Sequence, residues 1–371
     1  MRSVKELKDI NGKKVLVRVD FNLPIENGVI LDDFRIKKAL PTIKLLTDLG
    51  AKVILIAHLG KGGESLAPVA AVLNKFIPSS FVPEVVGVTV DEAIAKMQPG
   101  EVILLENLRN EKGEKECNEE FAKKLAKYGE IYVNESFPVD HREDASIVLL
   151  PKLLPAYVGL QLQNEIDNLS VAFKNPEHPF LFILGGAKFS TKMPLINKYL
   201  ELADQVFIGG ALANNFLKEK GYEIGASLVD DETNEIKKIL ENKKLMIPVD
   251  VVTQSGNKLV SKSLEEIKSE DIIVDIGEMT IKNLASRIQN AKLILWNGPL
   301  GKYEEGGEKG TKAILELVAE SKAKSIIGGG DTVALISQMG MEDKFSFVST
   351  GGGATLDFLA NGTLPGIKAL E

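Results

Sequence analysis

Residues Val53–Gly60 read VILIAHLG, and this stretch contains the pattern on which the fold depends. The run Val53–Ala57 is apolar without interruption, as in a strand whose two faces are both buried. His58 ends the run, and a glycine loop follows. Short runs rich in Val, Ile and Leu recur along the chain, separated by longer amphipathic segments. Alternating strands and helices of this kind predict parallel sheets covered by helices, which is an α/β fold.

The length of the chain predicts two domains, because 371 residues exceed what one ordinary hydrophobic core organises. We predict two doubly wound parallel-sheet domains, residues 1–155 and 176–356. A long amphipathic helix over residues 156–175 and a hinge would join them. The tail, residues 357–371, is too short to be a domain, and we expect it to pack back on the first one.

Composition excludes several classes of protein. The net charge of −7 argues against a nucleic-acid partner, and no apolar stretch is long enough to span a bilayer. The N-terminal residues lack the apolar core of a signal peptide. A single cysteine, Cys117, excludes an internal disulfide framework and fits a reducing compartment. We expect a cytoplasmic monomer without a membrane partner.

The first half of the chain places polar side chains just after its apolar runs, where open parallel sheets bind ligands. The segments concerned are Asp20-Phe21-Asn22, His58-Leu59-Gly60-Lys61, the stretch ending in Arg109, and His141-Arg142. The chain has six arginines, and Arg18, Arg35, Arg109 and Arg142 all lie in its first 150 residues. The guanidinium fork binds carboxylate or phosphate bidentately, so the pattern predicts a site for a small anionic molecule.

Two residues of this half, Arg18 and His141, have an alternative interpretation in which they do not bind the ligand. Arg18 lies inside a strand pattern and could serve only to pair with an acidic neighbour. His141 could simply be exposed, with Arg142 as the ligand.

The second half places glycine loops at the same positions. They are Gly185-Gly186-Ala187-Lys188, Gly209-Gly210, Asn297-Gly298-Pro299, Gly328-Gly329-Gly330-Asp331-Thr332 and Gly351-Gly352-Gly353. Glycine lets backbone N–H groups approach phosphates, and a helix that begins just after adds its positive end. Lys188 and Lys192, four residues apart, would face one ligand from the start of a helix. Asp331 suits a Mg²⁺ ion that phosphates carry.

These patterns together predict one domain for a small anion, another for a magnesium nucleotide, and phosphoryl transfer between them. Catalysis of that reaction consists mostly of positioning and cationic stabilisation. Arg35 and Lys188, one from each half, are the candidates to act on the transferred group. No general base is evident, and a carboxylate acceptor needs none. The chain has no GxxxxGK[ST] and no strand–GxGxxG–helix, which argues against a P-loop enzyme and a nicotinamide dehydrogenase.

The motifs, taken in order, resemble those of the phosphoglycerate kinase family. They are VRVDFNLP, DDFRI, AHLGK, ENLR, HRxxAS, LGGAKFSTK, WNGPLGKYE, GGGDT and STGGGAT, which extend over nearly the whole chain. The resemblance implies reversible phosphoryl transfer between 1,3-bisphosphoglycerate and MgADP, which gives 3-phosphoglycerate and MgATP. It also implies a hinge that closes to bring the two substrates together.

The resemblance further implies roles for individual residues. Those that would hold the phosphoglycerate are Asp20, Phe21, Asn22, Arg35, His58, Leu59, Gly60, Lys61, Arg109 and Arg142. Arg35, Lys188, Gly330 and Gly353 would act on the transferred phosphoryl group, and Asp331 would bind the magnesium ion. Those that would bind the nucleotide are Gly186, Ala187, Lys192, Gly209, Gly210, Asn297, Glu304, Gly329, Gly330, Asp331 and Thr332.

The chain also departs from the family pattern. Lys61 replaces an arginine, Asp144 a histidine, Ala211 and Ile273 each a glycine. These substitutions motivate an alternative, a protein of the same fold with reduced or lost turnover or with an altered nucleotide preference. Formation of ATP by the purified chain separates the alternatives.

Overall fold

The computed structural model describes residues 1–26, 28–189, 191–230, 235–256, 258–302 and 306–371. The chain divides into two compact units. The first comprises Met1–Asp167 with Thr363–Glu371, and the second Asn168–Gly362. None of the helices in these described ranges has both the length and the hydrophobicity that a membrane span requires.

The first unit alternates strands and helices. Its elements are β1 (Lys14–Val19), β2 (Ile25–Glu26), β3 (Val29–Ile30), α1 (Phe34–Asp48), β4 (Lys52–Ile56), α2 (Ala67–Leu73), β5 (Ser80–Val82), α3 (Val88–Lys96), β6 (Val102–Leu105), α4 (Lys112–Lys115), α5 (Glu119–Ala126), β7 (Ile131–Glu135), α6 (Ala145–Val148), α7 (Leu150–Leu153), β8 (Ala156–Val158) and α8 (Leu160–Ser170). Short 3₁₀ turns are formed by Val4–Glu6, Leu108–Asn110 and Phe137–Val139. The boundary between the units falls inside α8.

Six strands of this unit form one parallel sheet in the order β5-β6-β4-β1-β7-β8. The central strand β1 pairs Val15 with Val53 of β4 and with Ile131 of β7. These strands are buried almost throughout, which explains why their sequences are continuously apolar rather than alternating. β2 and β3 form a separate two-stranded hairpin.

The second unit repeats the alternation. Its elements are β9 (Phe180–Leu184), α9 (Met193–Leu202), β10 (Gln205–Ile208), α10 (Ala211–Glu219), α11 (Ile236–Leu240), β11 (Leu245–Met246), β12 (Asp250–Ser255), β13 (Lys258–Ser263), β14 (Ile272–Ile276), α12 (Glu278–Asn290), β15 (Leu293–Asn297), α13 (Lys309–Glu320), β16 (Lys324–Gly328), α14 (Gly330–Gln338), β17 (Phe347–Val348) and α15 (Gly353–Asn361). Leu264–Glu266 and Glu342–Lys344 form 3₁₀ turns, and α16 (Pro365–Ala369) belongs to the first unit.

The sheet of the second unit is also parallel, in the order β11-β10-β9-β15-β16-β17. Trp296 in β15 is fully buried in its core, and its indole N–H donates to the carbonyl of Gly298 at 2.8 Å. The prediction of an α/β fold with two parallel sheets is therefore confirmed.

An antiparallel sheet in the second unit was not predicted. β12 pairs with β13 and with β14 in the order β13-β12-β14. The sequence Leu245–Val252 reads as one apolar run, but Pro248 lies within it. Proline cannot donate to a sheet ladder, so the run divides into β11 at the edge of the parallel sheet and β12 in the antiparallel sheet.

The helix predicted over residues 156–175 is shorter in the structure, where it spans Leu160–Ser170. Residues 156–158 instead form β8, which pairs with β7. The start of α8 is capped by Glu135, whose carboxylate oxygens accept from the backbone N–H groups of Gln161 and Leu162 at 2.9 and 3.0 Å. A buried carboxylate at the positive end of a helix fixes where that helix begins.

Candidate active site

The order of strands creates a ligand crevice in the first unit. β4, β5 and β6, which follow β1 in the chain, all lie on one side of it in the sheet. β7 and β8 come next and lie on its other side. Ligands of open parallel sheets bind at the carboxyl edge where the order reverses in this way. Asp20 follows β1, His58 lies two residues after β4, and Ser136 follows β7, so the structure brings these three segments to one edge.

Asp20 and Arg35 form an ion pair at this edge, with Nη1 and Oδ2 2.5 Å apart. Asp20 is buried and Arg35 is one-third exposed, so the guanidinium keeps donors that face solvent. Asn22 accepts from the backbone N–H of Gly60 at 2.9 Å. The Phe21 side chain lies in the hydrophobic core, so only its backbone can face a ligand.

The loop after β4 is held in shape by Asn107, a residue that is not among the predicted site residues. Its Nδ2 donates to the carbonyls of Leu59 and Glu64, both at 2.9 Å. Its Oδ1 accepts from the N–H groups of Leu59 and Arg109 at 3.0 and 3.1 Å. Asn107 lies two residues after the apolar run Val102–Leu105, and its position near a strand end was the signal that could have identified it.

The cationic residues of this loop differ in what they contact. Arg109 is half-buried and donates from Nη1 to the carbonyl of Gly60. Lys61 is exposed, and its own carbonyl accepts from Nζ of Lys115 at 2.5 Å. Leu59 is buried, so it contributes to the site through its backbone.

His58 is fully buried, so its ring lies beneath the surface of the edge. Its Nδ1 lies 3.2 Å from Nη2 of Arg18, which is also fully buried. Burial, and then the positive charges of Arg18, Arg142 and Arg35, lower the pKa of His58 from 6.5 to about 2. The imidazole is therefore neutral, and its Nε2 is buried without a hydrogen-bond partner among the described residues.

The sequence leaves two interpretations open for Arg18 and for His141. Arg18 forms no ion pair within 4.0 Å in the described part of the chain, and it bonds instead to Ser146, Val19 and His58. His141 and Arg142 are both half-buried in the turn that follows β7. His141 is thus not fully exposed, and it is not among the hydrogen-bond partners of Arg18.

In the second unit the order reverses between β9 and β15, and glycines line the carboxyl edge. Gly185 donates to the carbonyl of Asn297 at 2.8 Å, and Gly210 donates to that of Leu300 at 3.0 Å. A Cβ atom on Gly185 would lie 2.1 Å from the carbonyl oxygen of Pro299. Only glycine allows two strand-end loops to approach this closely.

Two helices begin at neighbouring positions on this edge. β16 pairs with β17, and α14 and α15 follow these strands. Their N-caps, Gly329 and Gly352, have φ angles of 97° and 54° and provide no side-chain cap. The first N–H groups of both helices, beginning at Gly330 and Gly353, are left without a capping side chain. Such helix starts attract anions through these donors and through the helix dipole.

A cavity of about 470 Å³ opens on the same unit. Its lining includes predicted nucleotide-binding residues, namely Gly186, Ala187, Gly210 and Asp331. Gly209 is not in the lining, but it packs against Leu300, which is. A Cβ atom added to Gly209 would lie 2.7 Å from the Leu300 side chain. Ile273 is one of several aliphatic residues in the lining. The volume of the cavity and its aliphatic lining suit an apolar ring system, and Gly186 and Asp331 belong to the same lining.

The two predicted lysines occupy different environments. Lys188 is exposed in the loop after β9, whereas Lys192 is buried and donates from Nζ to the carbonyl of Gly185. Burial lowers the pKa of Lys192 to about 8, and the charge of Asp331 opposes this shift. The interpretation that both lysines lie on one helical turn is wrong, because α9 begins only at Met193.

Other predicted nucleotide-binding residues lie outside the cavity lining. Asn297 ends β15 beneath Gly328 and Gly329, and its Nδ2 is buried without a partner among the described residues. Thr332 is buried in the first turn of α14, and its hydroxyl also lacks a partner there. Glu304 lies outside the described residues.

Asp331 is the predicted metal ligand. It is exposed in the first turn of α14 and forms no hydrogen bond or ion pair with the described residues. No group of three or more His, Cys, Asp or Glu side chains in the described ranges could hold a metal ion by itself. A single free carboxylate beside an anion site fits Mg²⁺, which usually takes one or two protein carboxylates and completes its shell with phosphates and water.

Comparison with known proteins agrees with this arrangement. The family model described as "Phosphoglycerate kinase" matches residues 4–362. The phosphoglycerate kinase of Dictyoglomus turgidum is 43% identical over 383 residues, covering 98% of this chain and 97% of the relative. That of Caulobacter vibrioides is 40% identical over 388 residues, covering 98% of both chains.

Solved structures show the same likeness. The structure of phosphoglycerate kinase from Coxiella burnetii matches with a TM-score of 0.87 at 37% identity, covering 99% of this chain and 97% of that one. The crystal structure of phosphoglycerate kinase from Pyrococcus horikoshii matches with a TM-score of 0.89 at 31% identity, covering 100% and 98%. The similarity extends over both units, so the chain belongs to the phosphoglycerate kinase family.

Proposed function

We propose that this chain is an active phosphotransferase that moves a phosphoryl group reversibly between 1,3-bisphosphoglycerate and MgADP. The products are 3-phosphoglycerate and MgATP. The observation that carries the proposal is the pair of helix starts at Gly330 and Gly353, which adjoin each other and have no capping side chain. Family membership adds the identity of the substrates.

The chemistry needs no general base. In the direction of ATP use, a carboxylate oxygen of 3-phosphoglycerate attacks the γ-phosphorus, and the bond to the bridging β,γ-oxygen breaks. The acceptor is ionised already, so no proton has to leave. The enzyme has to position both reactants and stabilise negative charge on the transferred group.

We assign the stabilising groups from their exposure and charge. Lys188 is exposed in the glycine loop, and Gly330 and Gly353 offer backbone N–H groups at helix starts. Arg35 would supply a fixed fork because Asp20 holds one of its donors. Direct transfer requires the two substrates to meet, so closure of the hinge during turnover is part of the proposal.

We assign the phosphoglycerate to the carboxyl edge of the first sheet. Asp20, Asn22, Arg35, Lys61, Arg109 and Arg142 would contact it directly, with His58 beneath them. Leu59 and Gly60 would contribute backbone groups. The unpaired donors of this edge are cationic or neutral, which suits a ligand that carries a carboxylate and a phosphate.

We assign the nucleotide to the cavity of the second unit, with the base against its aliphatic lining and the phosphates near Gly186 and Lys192. Asp331 would hold Mg²⁺, which when bound neutralises charge on the phosphates. We take the base to be adenine, as in the family. The protein is proposed to act as a monomer in the cytoplasm.

A coupled assay of the purified chain tests the function. Robust ATP formation from 1,3-bisphosphoglycerate is expected with ADP, and a parallel assay with GDP measures the preference for the base. Lys188→Ala and Arg35→Ala should each reduce kcat by at least about 10²-fold, in line with the loss of one charge-stabilising group. Lys292→Ala, at the opposite end of β15, is the matched control. Absence of turnover in the intact wild-type chain would favour a protein of the same fold without activity.

A further inference from the structure

Arg18 makes three hydrogen bonds inside the first unit. Its Nε donates to Oγ of Ser146 at 2.9 Å, and Nη1 donates to the carbonyl of Val19 at 2.7 Å. Its Nη2 lies 3.2 Å from Nδ1 of His58. Arg18, Ser146 and His58 are all fully buried, so water does not compete for these donors.

The contact with Arg18 decides the tautomer of His58. A guanidinium has only donors, so Nδ1 of His58 must be the acceptor. A neutral imidazole with Nδ1 as acceptor carries its proton on Nε2. That Nε2–H donor has no partner among the described residues, and it lies at the carboxyl edge assigned to the phosphoglycerate.

Ser146 and Glu114 fix the direction of the bonds behind Arg18. Ser146 Oγ accepts from Arg18, so its own hydrogen is available for Oε1 of Glu114, 2.6 Å away. The other carboxylate oxygen, Oε2, accepts from the backbone N–H of Ser146 at 3.0 Å. Glu114 is fully buried as well and interacts electrostatically with Arg18. A carboxylate and a guanidinium are thus bridged by one hydroxyl.

We propose that Glu114 and Ser146 are positioning residues, which orient Arg18 so that His58 offers an Nε2–H donor to the phosphoglycerate site. The geometry gives every hydrogen bond of this group a fixed donor and acceptor. Arg18 donates from Nη2 to His58 and from Nε to Ser146, and Ser146 donates to Glu114. This inference rests on the proposed function for the identity of the anion, but the tautomer itself can be measured without any substrate.

The spectroscopic test uses ¹⁵N-labelled protein. The chain has only three histidines, so His58 can be assigned by comparison with the His141→Gln and His178→Gln variants. Long-range ¹⁵N–¹H correlations should show an unprotonated Nδ1 and a protonated Nε2 at neutral pH. In Ser146→Ala and in Glu114→Gln, this single pattern should give way to a mixture of tautomers. A wild-type ring protonated at Nδ1 or at both nitrogens would overturn the proposal.

The kinetic test uses the two substrates as internal controls for each other. Ser146→Ala and Glu114→Gln should raise the KM for 3-phosphoglycerate about tenfold, the order of one lost hydrogen bond to a charged group. The KM for ATP should stay within about twofold, because the nucleotide cavity belongs to the second unit. Ser146→Thr keeps the hydroxyl and should restore the wild-type KM.

Ser325→Ala is the matched control for loss of a buried serine. Ser325 is buried in β16 of the second unit, and its hydroxyl accepts from the N–H of Ser346. Its KM for 3-phosphoglycerate should not change. If the wild type turns over and both variants keep its KM and its tautomer, the positioning role is refuted. If the tautomer changes in the variants but the wild type shows no turnover, the positioning role stands and the proposed function fails.

Discussion

Arg35 and Asp20 form an ion pair that joins the first turn of α1 to the end of β1, with Nη1 and Oδ2 2.5 Å apart. The acid is buried and the guanidinium is partly exposed, so one edge of the fork is fixed and the other faces solvent. The side chain of Arg35 is therefore ordered before a ligand binds. The conformational entropy of this long side chain is lost on folding, so ligand binding does not have to offset that loss.

We predict that Asp20→Asn lowers kcat about tenfold, because Arg35 loses a charge-assisted bond and its orientation. The KM for 3-phosphoglycerate should change little, since removing a negative charge favours an anionic ligand and offsets the lost order. Steady-state kinetics measures both constants. Asp33→Asn, which breaks the ion pair with Lys37 at the start of the same helix, is the control. A wild-type kcat in Asp20→Asn would mean that Arg35 needs no anchor.

Much of the fold could be predicted because both sheets are parallel and buried on both faces. Such strands appear in the sequence as uninterrupted apolar runs, as in Val53–Ala57 and Phe180–Leu184. The three-residue strands β5 and β8 were missed because so short a segment has no period to recognise. The antiparallel β12 was missed because the sequence from β11 to β12 is mostly apolar, and Pro248 in the short segment between them is the one local sign of a division.

The candidate site could be predicted only where chemistry follows a strand directly. Asp20, His58 and Gly185 are of this kind, since strand order brings strand ends together. The residues behind them are different. Glu114 and Ser146 lie far along the chain from Arg18, at a separation of 128 residues for Ser146, so no local pattern indicates their contact. Burial of Lys192 beneath the glycine loop also depends on tertiary packing alone.

The pKa of Lys192 predicts how nucleotide binding depends on pH. Burial lowers this pKa to about 8, so the ammonium form is complete below pH 7 and is lost as pH rises through 8. Phosphates prefer the ammonium form, and we expect MgADP affinity to fall above pH 8 with proton uptake on binding. Calorimetric titration in buffers of different ionisation enthalpy measures this uptake.

Lys192→Met tests the origin of this dependence. The variant should bind MgADP about tenfold more weakly at pH 7, because one charged contact is lost, and its affinity should no longer fall above pH 8. Lys292→Met removes a lysine at the opposite end of β15 and should keep the wild-type profile. An unchanged pH profile in Lys192→Met would assign the titration to another group.

Asp140 predicts a dependence of stability on pH. It is buried, its Oδ1 accepts from Asn134 at 2.8 Å, and its Oδ2 has no partner among the described residues. Burial raises its pKa from 3.8 to about 7, although Asn134 and Arg18 oppose the shift. The native state therefore keeps this proton longer than the unfolded state, and its contribution to stability is lost as pH rises from about 4 to 7.

Asp140→Asn should remove this loss of stability at higher pH, because asparagine does not ionise. We expect the variant to gain about 2 to 4 kcal/mol in free energy of unfolding at pH 8 and nothing at pH 4, from the size of the pKa shift. Guanidinium titrations followed by circular dichroism at the two pH values measure the difference. Asp48→Asn replaces an exposed acid of the same unit and should show no such gain. Equal stability of wild type and Asp140→Asn at pH 8 would contradict the raised pKa.

Lys61 carries the last prediction, because the motif resemblance described above implies an arginine at this position. Its side chain is exposed and forms no hydrogen bond or ion pair with the described residues, while the backbone of its loop is fixed by Asn107 and Lys115. Arg109 donates to the carbonyl of Gly60, the residue before Lys61, so this loop already has a guanidinium beside it. A lysine there contributes charge without a fork, so an arginine should bind a phosphate or carboxylate with one more hydrogen bond.

We expect Lys61→Arg to lower the KM for 3-phosphoglycerate about two- to tenfold and to leave the KM for ATP unchanged, the range expected for one exposed charge-assisted bond. Lys61→Gln should raise the same constant by a similar factor, and the difference between the two should shrink at high salt because the contact is exposed. Lys115→Arg, on the neighbouring lysine whose Nζ is held by the carbonyl of Lys61, is the control for added guanidinium alone. If Lys61→Arg binds no tighter than the wild type, the loop after β4 is shaped around lysine, and Arg109 is the guanidinium on which the substrate depends.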